Sequence, residues 1–374
     1  MKTICNFLKK YCPIWALVAY IGFILAVIVY IVSKNSVAFS DFYNRYVGSA
    51  LRAFLAFVTN IVPFSIAECI IICLPVLMVL LIWGGIRATK KGTVASSRYI
   101  AGLVACVTLF YTLFFGGFAV GYNGSTLESK LGLNRREVTA AELLQTAAIL
   151  LDETNQLANE VDFKYGSSSV MPYDYSEMNK KLNEAYKKAC EKYTFIAPMY
   201  SNVKTVMLSE PMTYTHISGV YTYYTGEANI NVNFPDYTLP YIAAHELSHQ
   251  RGVAREDEAN FMAFLVCLES DDPYIRYSGY MNLFEYVISA LYSANKNMYY
   301  TLMETADYRI RYEMIAYNEF FEKYKESVAS EVSGTVNDNY LKAQGQTDGT
   351  KSYGRVVDLA VAYYIPTQGV DMNG

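Results

Sequence analysis

Three uncharged apolar runs in the first third of the chain constrain its fold more than any other feature. They extend over 14–32, 69–86 and 99–122. A helix needs roughly 20 apolar residues to cross the hydrocarbon core of a bilayer. Helices buried in a soluble protein would show polar stripes, and these runs have none. The sequence therefore predicts an anchor of three membrane-spanning helices within residues 1–122, with a lipid bilayer around it.

The flanks of these runs indicate an orientation. The first run is longer than the apolar core of a signal peptide and has no small-residue cleavage site after it, which favours an anchor. Lys2, Lys9 and Lys10 precede the first run, and the segment 87–98 after the second run is also basic. The positive-inside rule assigns both to the cytoplasmic side. Residues 123–374 are therefore expected outside the cell membrane, as the extracytoplasmic domain of a multi-pass protein.

Charge and cysteine content exclude some functions and leave one question open. The net charge is −4, and the last two-thirds of the chain has no basic cluster, so nucleic acid is not expected as a partner. Cys190 and Cys267 are the two cysteines away from the membrane segments. They fit either a disulfide or two buried free thiols.

The pattern after residue 123 predicts an α+β domain. A capping box at Thr139 and Glu142 begins a helix that reaches about residue 161, and a second helix covers 176–193. Stretches rich in Val, Ile, Thr and Tyr predict strands over 204–209, 214–225 and 227–234. Helical patterns resume at Tyr241 and continue nearly to the end, apart from a polar loop predicted over 333–353. Helices, a small sheet and further helices define the α+β class.

One short motif carries chemistry. Residues 243–261 read AAHELSHQRGVAREDEANF, in a chain with only three histidines. On a helix, His245 and His249 lie one turn apart on the same face, which suits two imidazole ligands of one zinc ion. Glu246 is rotated by about 100° from His245, so it is the candidate catalytic base that takes a proton from water. The alternative without a metal is a solvated helix with two surface histidines.

A catalytic zinc site needs a third protein ligand. Gly252 can end the motif helix and let the chain reverse, so that a helix beginning near Ala254 brings its first turn back beside the histidines. Glu256, Asp257 and Glu258 all fall in that turn. Acidic residues in a first turn also interact favourably with the helix dipole, so any one of them can be a capping charge.

The segment EDEANFMA resembles the E-x-x-A-D-x-x-A helix of the gluzincin metallopeptidases. This resemblance implies that Glu256 is the third metal ligand and that Asn260 supports a histidine ligand. Asn260 stands where those enzymes have Asp, and the interval from His249 to Glu256 is short. Glu258 therefore stays open as the alternative ligand.

Four further residues are candidates for substrate binding. Zinc peptidases of this type hold an extended substrate by main-chain pairing with an edge strand. The strand predicted over 227–234 precedes the motif and offers Glu227 and Asn229, which could equally be ordinary strand residues. The late polar loop offers Tyr353 and Arg355 as groups that line the cleft or stabilise an oxyanion.

Nearly the whole chain resembles a bacterial family called domain of unknown function 3810, which is grouped with the peptidase MA clan. The segments that carry the resemblance are VPFSIAE at 62–68, GEANINV at 226–232, AAHELSHQRGVAREDEANF at 243–261 and NDNYLKAQGQTDGTKSYGRVVDLA at 337–360. The resemblance implies a membrane-anchored domain with a zincin-like fold, without a known substrate.

The sequence thus predicts a membrane-anchored zinc metallopeptidase that acts on a peptide or protein substrate. In this hypothesis His245, His249 and Glu256 (or Glu258) hold the ion and Glu246 activates water. The main alternative is a non-catalytic surface binding or sensor module on the same scaffold. The presence of Glu246 favours the enzyme, because metal binding alone does not need it.

Overall fold

The computed structural model describes residues 9–164, 168–325, 327–344 and 354–366. It is mostly helical with one small sheet, which confirms the α+β class. The membrane side comprises α1 (Ile14–Asn35), α2 (Val37–Phe42), a π-helical segment (Tyr43–Gly48), α3 (Ser49–Thr59), α4 (Ile66–Ile72), α5 (Leu74–Lys90), α6 (Thr93–Gly117) and a 3-10 turn (Ala119–Asn123).

Among the residues that the structure describes, two helices are long and apolar enough to cross a membrane, or three if a bent pair counts as one span. The two are α1 and the continuous helical stretch 93–123. The predicted second span, 69–86, needs correction, because the chain bends by 62° between α4 and α5. Pro75 lies in the first turn of α5, where its missing N–H is tolerated and a new helix can begin. Residues 69–72 therefore belong to α4 rather than to a straight span.

The remaining elements form one body around a single main core. They are α7 (Leu127–Leu131), α8 (Ala140–Leu157), α9 (Tyr175–Lys192), β1 (Lys204–Thr205), α10 (Ser209–Thr213), β2 (Gly219–Thr222), β3 (Glu227–Ile230), a 3-10 turn (Asp236–Thr238), α11 (Leu239–Gln250), α12 (Glu256–Leu268), α13 (Pro273–Ala294), α14 (Lys296–Glu304), α15 (Tyr308–Glu322), α16 (Val328–Ala343) and α17 (Arg355–Tyr364). The capping box at Thr139 is present at the start of α8, as predicted. Cys190 and Cys267 are free thiols.

The sheet is smaller than predicted and its order differs. The strand order is β1-β3-β2, with β1 parallel and β2 antiparallel to β3. The predicted strand 204–209 is reduced to β1 and the predicted strand 214–225 to β2, and α10 lies between them. Because β3 is paired on both sides, it is the central strand, and the prediction that 227–234 supplies the edge is wrong. The edge strands are β1 and β2.

The polar loop predicted over 333–353 is also shorter than expected. Residues 333–343 belong to α16, whose first N–H groups are capped by the side chain of Ser327. Residues 345–353 lie outside the described part of the chain.

The membrane side and the body are joined by buried polar contacts. Arg52 on α3 is almost fully buried and donates to carbonyl oxygens of Asn44, Gly117 and Arg251. The side chain of Asn44 donates to the carbonyl of Gly252 at 2.9 Å. The segment between α1 and α5 therefore packs directly on the body, at the turn that follows α11.

Candidate metal centre

Helix α11 carries the two motif histidines and is buried on nearly all sides. Pro240 lies in its first turn, a position that suits proline. One side of the helix packs on β2 and β3 and another on α12. Tyr186 donates from its hydroxyl to the carbonyl of Ala244. The amide of Gln250 donates to the carbonyl of Gly226 at 2.7 Å, so both ends of the motif are fixed to neighbouring elements.

Gly252 reverses the chain between α11 and α12, as predicted. Its φ of 97° lies in the left-handed region, which glycine adopts without strain. A Cβ here would also meet the side chains of Arg52 and Asn44 at 2.4 and 2.6 Å. The reversal lets α12 begin at Glu256, one residue after the N-cap Arg255, and brings its first turn back to the histidines.

Three side chains of the motif region converge on one point. Nε2 of His245 lies 3.3 Å from Oε2 of Glu256, and Nε2 of His249 lies 3.5 Å from the same oxygen. The two rings are 4.6 Å apart and nearly perpendicular. Two ligands bound to one tetrahedral zinc at about 2.1 Å lie about 3.4 Å apart. The donor set and its spacing therefore fit a zinc ion.

The ring orientation of His249 is fixed by the backbone. Its Nδ1 lies 2.7 Å from the carbonyl oxygen of Val253. Because a carbonyl only accepts, Nδ1 must donate, and Nε2 is the ring nitrogen that faces Glu256. Metal-binding histidines usually make such a bond through the other ring nitrogen. Among the described residues, neither Nδ1 of His245 nor Nδ2 of Asn260 has a hydrogen-bond partner, so the supporting role implied for Asn260 stays a prediction.

The charges in the cluster attract a cation. Burial alone would lower the pKa of His249, but the carboxylate of Glu256 raises that pKa to about 9. Burial would raise the pKa of Glu256, but His249 and His245 lower it well below its usual range. A carboxylate between two imidazoles therefore holds a proton tightly, and a divalent cation competes for the same place.

Glu246 lies beside the cluster but outside it. Burial raises the pKa of its carboxyl to about 7, although the two imidazoles oppose this shift. Its Oε2 is buried and has no hydrogen-bond partner among the described residues. The other oxygen lies against β2, where a Cβ on Gly219 would come within 2.6 Å of it. Gly219 is thus required for this close approach, and a glycine inside a strand is the sequence signal for it.

The structure separates the two candidate ligands on α12. The carboxylate of Glu258 accepts from Arg255 at 2.7 Å and from the backbone N–H of Leu127 at 3.0 Å. Its oxygen therefore caps α7, whereas Glu256 meets both histidines. Asp257 pairs with Arg135 at 3.1 Å.

Glu227 and Asn229 occupy the interior of the body, which contradicts their predicted place on a substrate-facing strand. The carboxylate of Glu227 pairs with Lys204 at 2.8 Å and accepts from the N–H groups of Ile66 and Ala67. Asn229 is buried and donates to the carbonyl of Val220 in the adjacent strand. Both residues are engaged because β3 is the central strand.

The other predicted and unpredicted neighbours can now be placed. Tyr353 lies outside the described residues. Arg355 begins α17, where its charge acts on Asp358 of the same helix. Near the cluster lie Phe118, which sequence reasoning did not assign to the site, and Tyr340, which belongs to the late polar segment expected to line the cleft. The ring of Phe118 stands 6.0 Å from that of His249, and Tyr340 on α16 bonds to Tyr122 at 3.3 Å. Partial burial and the charge of Glu256 raise the pKa of Tyr340 to about 12.

A family model described as protein of unknown function DUF3810 matches residues 43–361. The chain therefore belongs to this family. No curated protein and no solved structure matches the chain. The matched range includes α3 and α4, which pack on the body, as well as the three residues of the cluster.

Proposed function

We propose that this protein is a zinc-dependent metallopeptidase anchored in the cell membrane. The observation that carries the proposal is the convergence of His245, His249 and Glu256 at separations of 3.3 and 3.5 Å, beside the unpaired carboxylate oxygen of Glu246. A structural metal site is usually closed by four protein ligands, whereas a catalytic zinc site has three and an adjacent base. The three ligands and the acid fit the second description.

In this mechanism the three ligands hold zinc, which supplies Lewis acidity when bound. Glu246 takes the proton of the attacking water, because its Oε2 is free to accept and its burial holds the pKa near neutrality. The same carboxyl then returns the proton to the leaving amine. The hydrogen bond from His249 to Val253 keeps the second imidazole in place throughout the cycle. Tyr340 is the candidate donor to the developing oxyanion.

Substrate pairing is assigned to β2. It is one of the two edge strands of the three-stranded sheet, and its first residue, Gly219, lies against Glu246. An extended peptide paired with this edge would pass directly beside the base. Main-chain pairing with a sheet edge is a common way to hold an extended peptide.

The body is proposed to lie outside the cytoplasmic membrane, as a zincin-like domain. The basic residues of 87–98 support this orientation. Protease added to intact cells should then degrade the body and spare the 87–98 segment. A fully protected body would reverse the assigned orientation.

Metal analysis and hydrolysis together test the activity. The purified full chain should contain one zinc and hydrolyse members of a random peptide library, presented both free and on a membrane anchor. Glu246→Gln should keep the zinc while turnover falls by about 10²- to 10⁴-fold, the contribution of a positioned base. If the wild-type chain binds zinc and hydrolyses nothing in either form of the library, the binding or sensor alternative replaces the enzyme.

A further inference from the structure

The metal centre lies at the level where the membrane helices leave the bilayer. The apolar run of α1 ends at Val32, and Asn123 donates to the hydroxyl of the next residue, Ser33, at 2.9 Å. Asn123 is therefore level with the membrane exit of α1. Phe118 precedes it by about 7 Å along the helix axis, and its ring contacts that of His249. A ligand of the metal centre thus stands at the hydrocarbon boundary.

The segment 42–64, which packs against the turn after α11, supports the same placement independently. It presents a row of large exposed apolar side chains: Phe42, Tyr46, Val47, Phe54, Phe57, Val58, Ile61 and Phe64. Such a surface is unfavourable in water but suits the interfacial region of a bilayer. The opposite side of the same segment carries Asn44 and Arg52, which bond to the turn after α11. Only one helix diameter, about 10 Å, separates lipid from that turn.

The edge strand β2 leads from the metal centre into the membrane. Gly219, at one end of β2, lies against Glu246. Beyond the other end, Tyr223 and Tyr224 pack on Phe110 of α6 at ring distances of 5.0 and 4.9 Å. Phe110 lies 13 residues before Asn123 in the helical stretch 93–123, about 20 Å along its axis, so this contact lies below the membrane exit of α1. The four residues of β2 and the turn that begins at Tyr223 connect the base to this aromatic contact.

From this geometry we propose that the substrate is a polypeptide tethered to the same membrane, cleaved about five residues from its membrane anchor. The proposal rests on the proposed peptidase activity and specifies its substrate class. A strand paired with the outer edge of β2 has one end at Glu246 and the other beside Phe110 of α6, so a membrane-anchored chain can enter without leaving the bilayer. Tethering also raises the effective concentration of the substrate at the site to about the millimolar range.

The activity test uses the full chain in phosphatidylcholine vesicles. The probes carry a random segment joined to a Leu–Ala membrane helix through spacers of about two, five, ten or thirty residues, with the same segments free in solution as controls. We expect cleavage to map about five residues from the helix, with kcat/KM at least about 100-fold above that of the free peptide. Glu246→Gln should slow both reactions by about 10²- to 10⁴-fold. Acylated probes should behave like helix-anchored ones if the tether alone matters.

Free and anchored peptides cleaved at equal rates would overturn the tethered-substrate proposal and leave the peptidase standing. If neither is cleaved by the wild-type chain, the peptidase itself fails and the substrate proposal with it. The two failures are therefore distinguishable.

A second measurement tests the depth of the site without activity. Trp15 and Trp83, the two tryptophans of the chain, are replaced by Phe, and a single reporter is introduced as Tyr224→Trp. Tyr300→Trp is the matched control, on α14, which packs on α8 and α13. Lipids brominated along the acyl chain should quench the reporter at 224 at least about twofold more than the one at 300. Equal, weak quenching of the two reporters would overturn the placement of residue 224 at the membrane.

Discussion

Two carboxylates in this molecule, those of Glu227 and Glu256, were both candidates for function from the sequence, and their surroundings differ in kind. Glu227 meets the ammonium of Lys204 and two backbone N–H groups, so both its oxygens are satisfied within the fold. Glu256 meets two imidazoles through one oxygen. Beside it, Glu246 keeps a buried oxygen without a partner among the described residues.

The difference distinguishes a carboxylate with a structural role from one that is available for binding or catalysis. A buried charge that the fold pairs completely needs nothing further and joins two parts of the chain. A carboxylate held by two bases has no permanent cation, which leaves a place for a metal ion. A buried unpaired oxygen costs free energy in the folded state, and such costs are characteristic of functional sites. Four substitutions test this contrast between structural and chemical carboxylates.

The largest expected effect is on stability, at the satisfied carboxylate. Lys204→Met leaves Glu227 buried without its cation, which should lower the free energy of unfolding by about 3–5 kcal/mol. Denaturation of the full chain in detergent measures this. Zinc content per folded chain should not change. The double variant Lys204→Met with Glu227→Leu is the control and should recover much of the loss. Loss of zinc at unchanged stability would place Glu227 among the functional groups.

The next largest effect is on zinc affinity. Glu256→Gln removes a ligand and should weaken zinc binding by more than about 100-fold, beyond the range found for residues that only support a ligand. Glu258→Gln is matched in chemistry and position and should leave zinc affinity within about threefold, because its carboxylate serves Arg255 and Leu127. Competition with a chelator measures both. The opposite pattern would make Glu258 the ligand.

A third buried carboxylate lies between the two extremes. Glu313 accepts from the N–H and hydroxyl of Ser169 and has no cation in contact within the described chain. Burial raises its pKa to about 7. The folded state then keeps a proton that the unfolded state releases above about pH 4.5, so stability is lost as pH rises through 7.

The measurement for Glu313 is the free energy of unfolding at pH 5 and pH 8. Wild type should lose about 2 kcal/mol more than Glu313→Gln between these two values, because the amide does not ionise. Comparing the two proteins removes the contribution of other titrating groups. Parallel pH dependence in both would show that Glu313 is ionised throughout.

The smallest expected effect concerns the position of the base. Gly219→Ala places a methyl group against the carboxylate of Glu246, so the carboxylate must move. We expect kcat to fall about tenfold, equivalent to about 1.4 kcal/mol, with KM and zinc content little changed. Val220→Ala, one residue further along the same strand and partly exposed, is the control for general disturbance of β2. Unchanged kcat would show that Glu246 has another productive position.

The local part of the candidate metal centre could be predicted from the sequence. His245, Glu246 and His249 lie on one helix, and the glycine after them predicts the reversal that returns Glu256. Spacing along a helix fixes these relations. The choice between Glu256 and Glu258 could not be made, because it depends on Arg255 and Leu127, and Leu127 is more than a hundred residues away in sequence.

The arrangement of the sheet, by contrast, could not be predicted from the sequence. Strand composition predicts that 227–230 is extended but carries no information about its partners. Two short strands on either side make it central and bury Glu227 and Asn229. In the same way, the apolar run 69–86 does not show where α4 begins. The N–H groups of Ile66 and Ala67 donate to Glu227, which lies far from the run in sequence.

Arg52 has a consequence for how the protein is made. Its three acceptors are the carbonyls of residues 44, 117 and 251, so the ribosome must synthesise two-thirds of the chain before this guanidinium is satisfied. The contact that joins α3 to the turn after α11 therefore forms late in synthesis, after both candidate membrane helices have been made. A body expressed by itself would lack Asn44 and Arg52, which bond to the turn after α11.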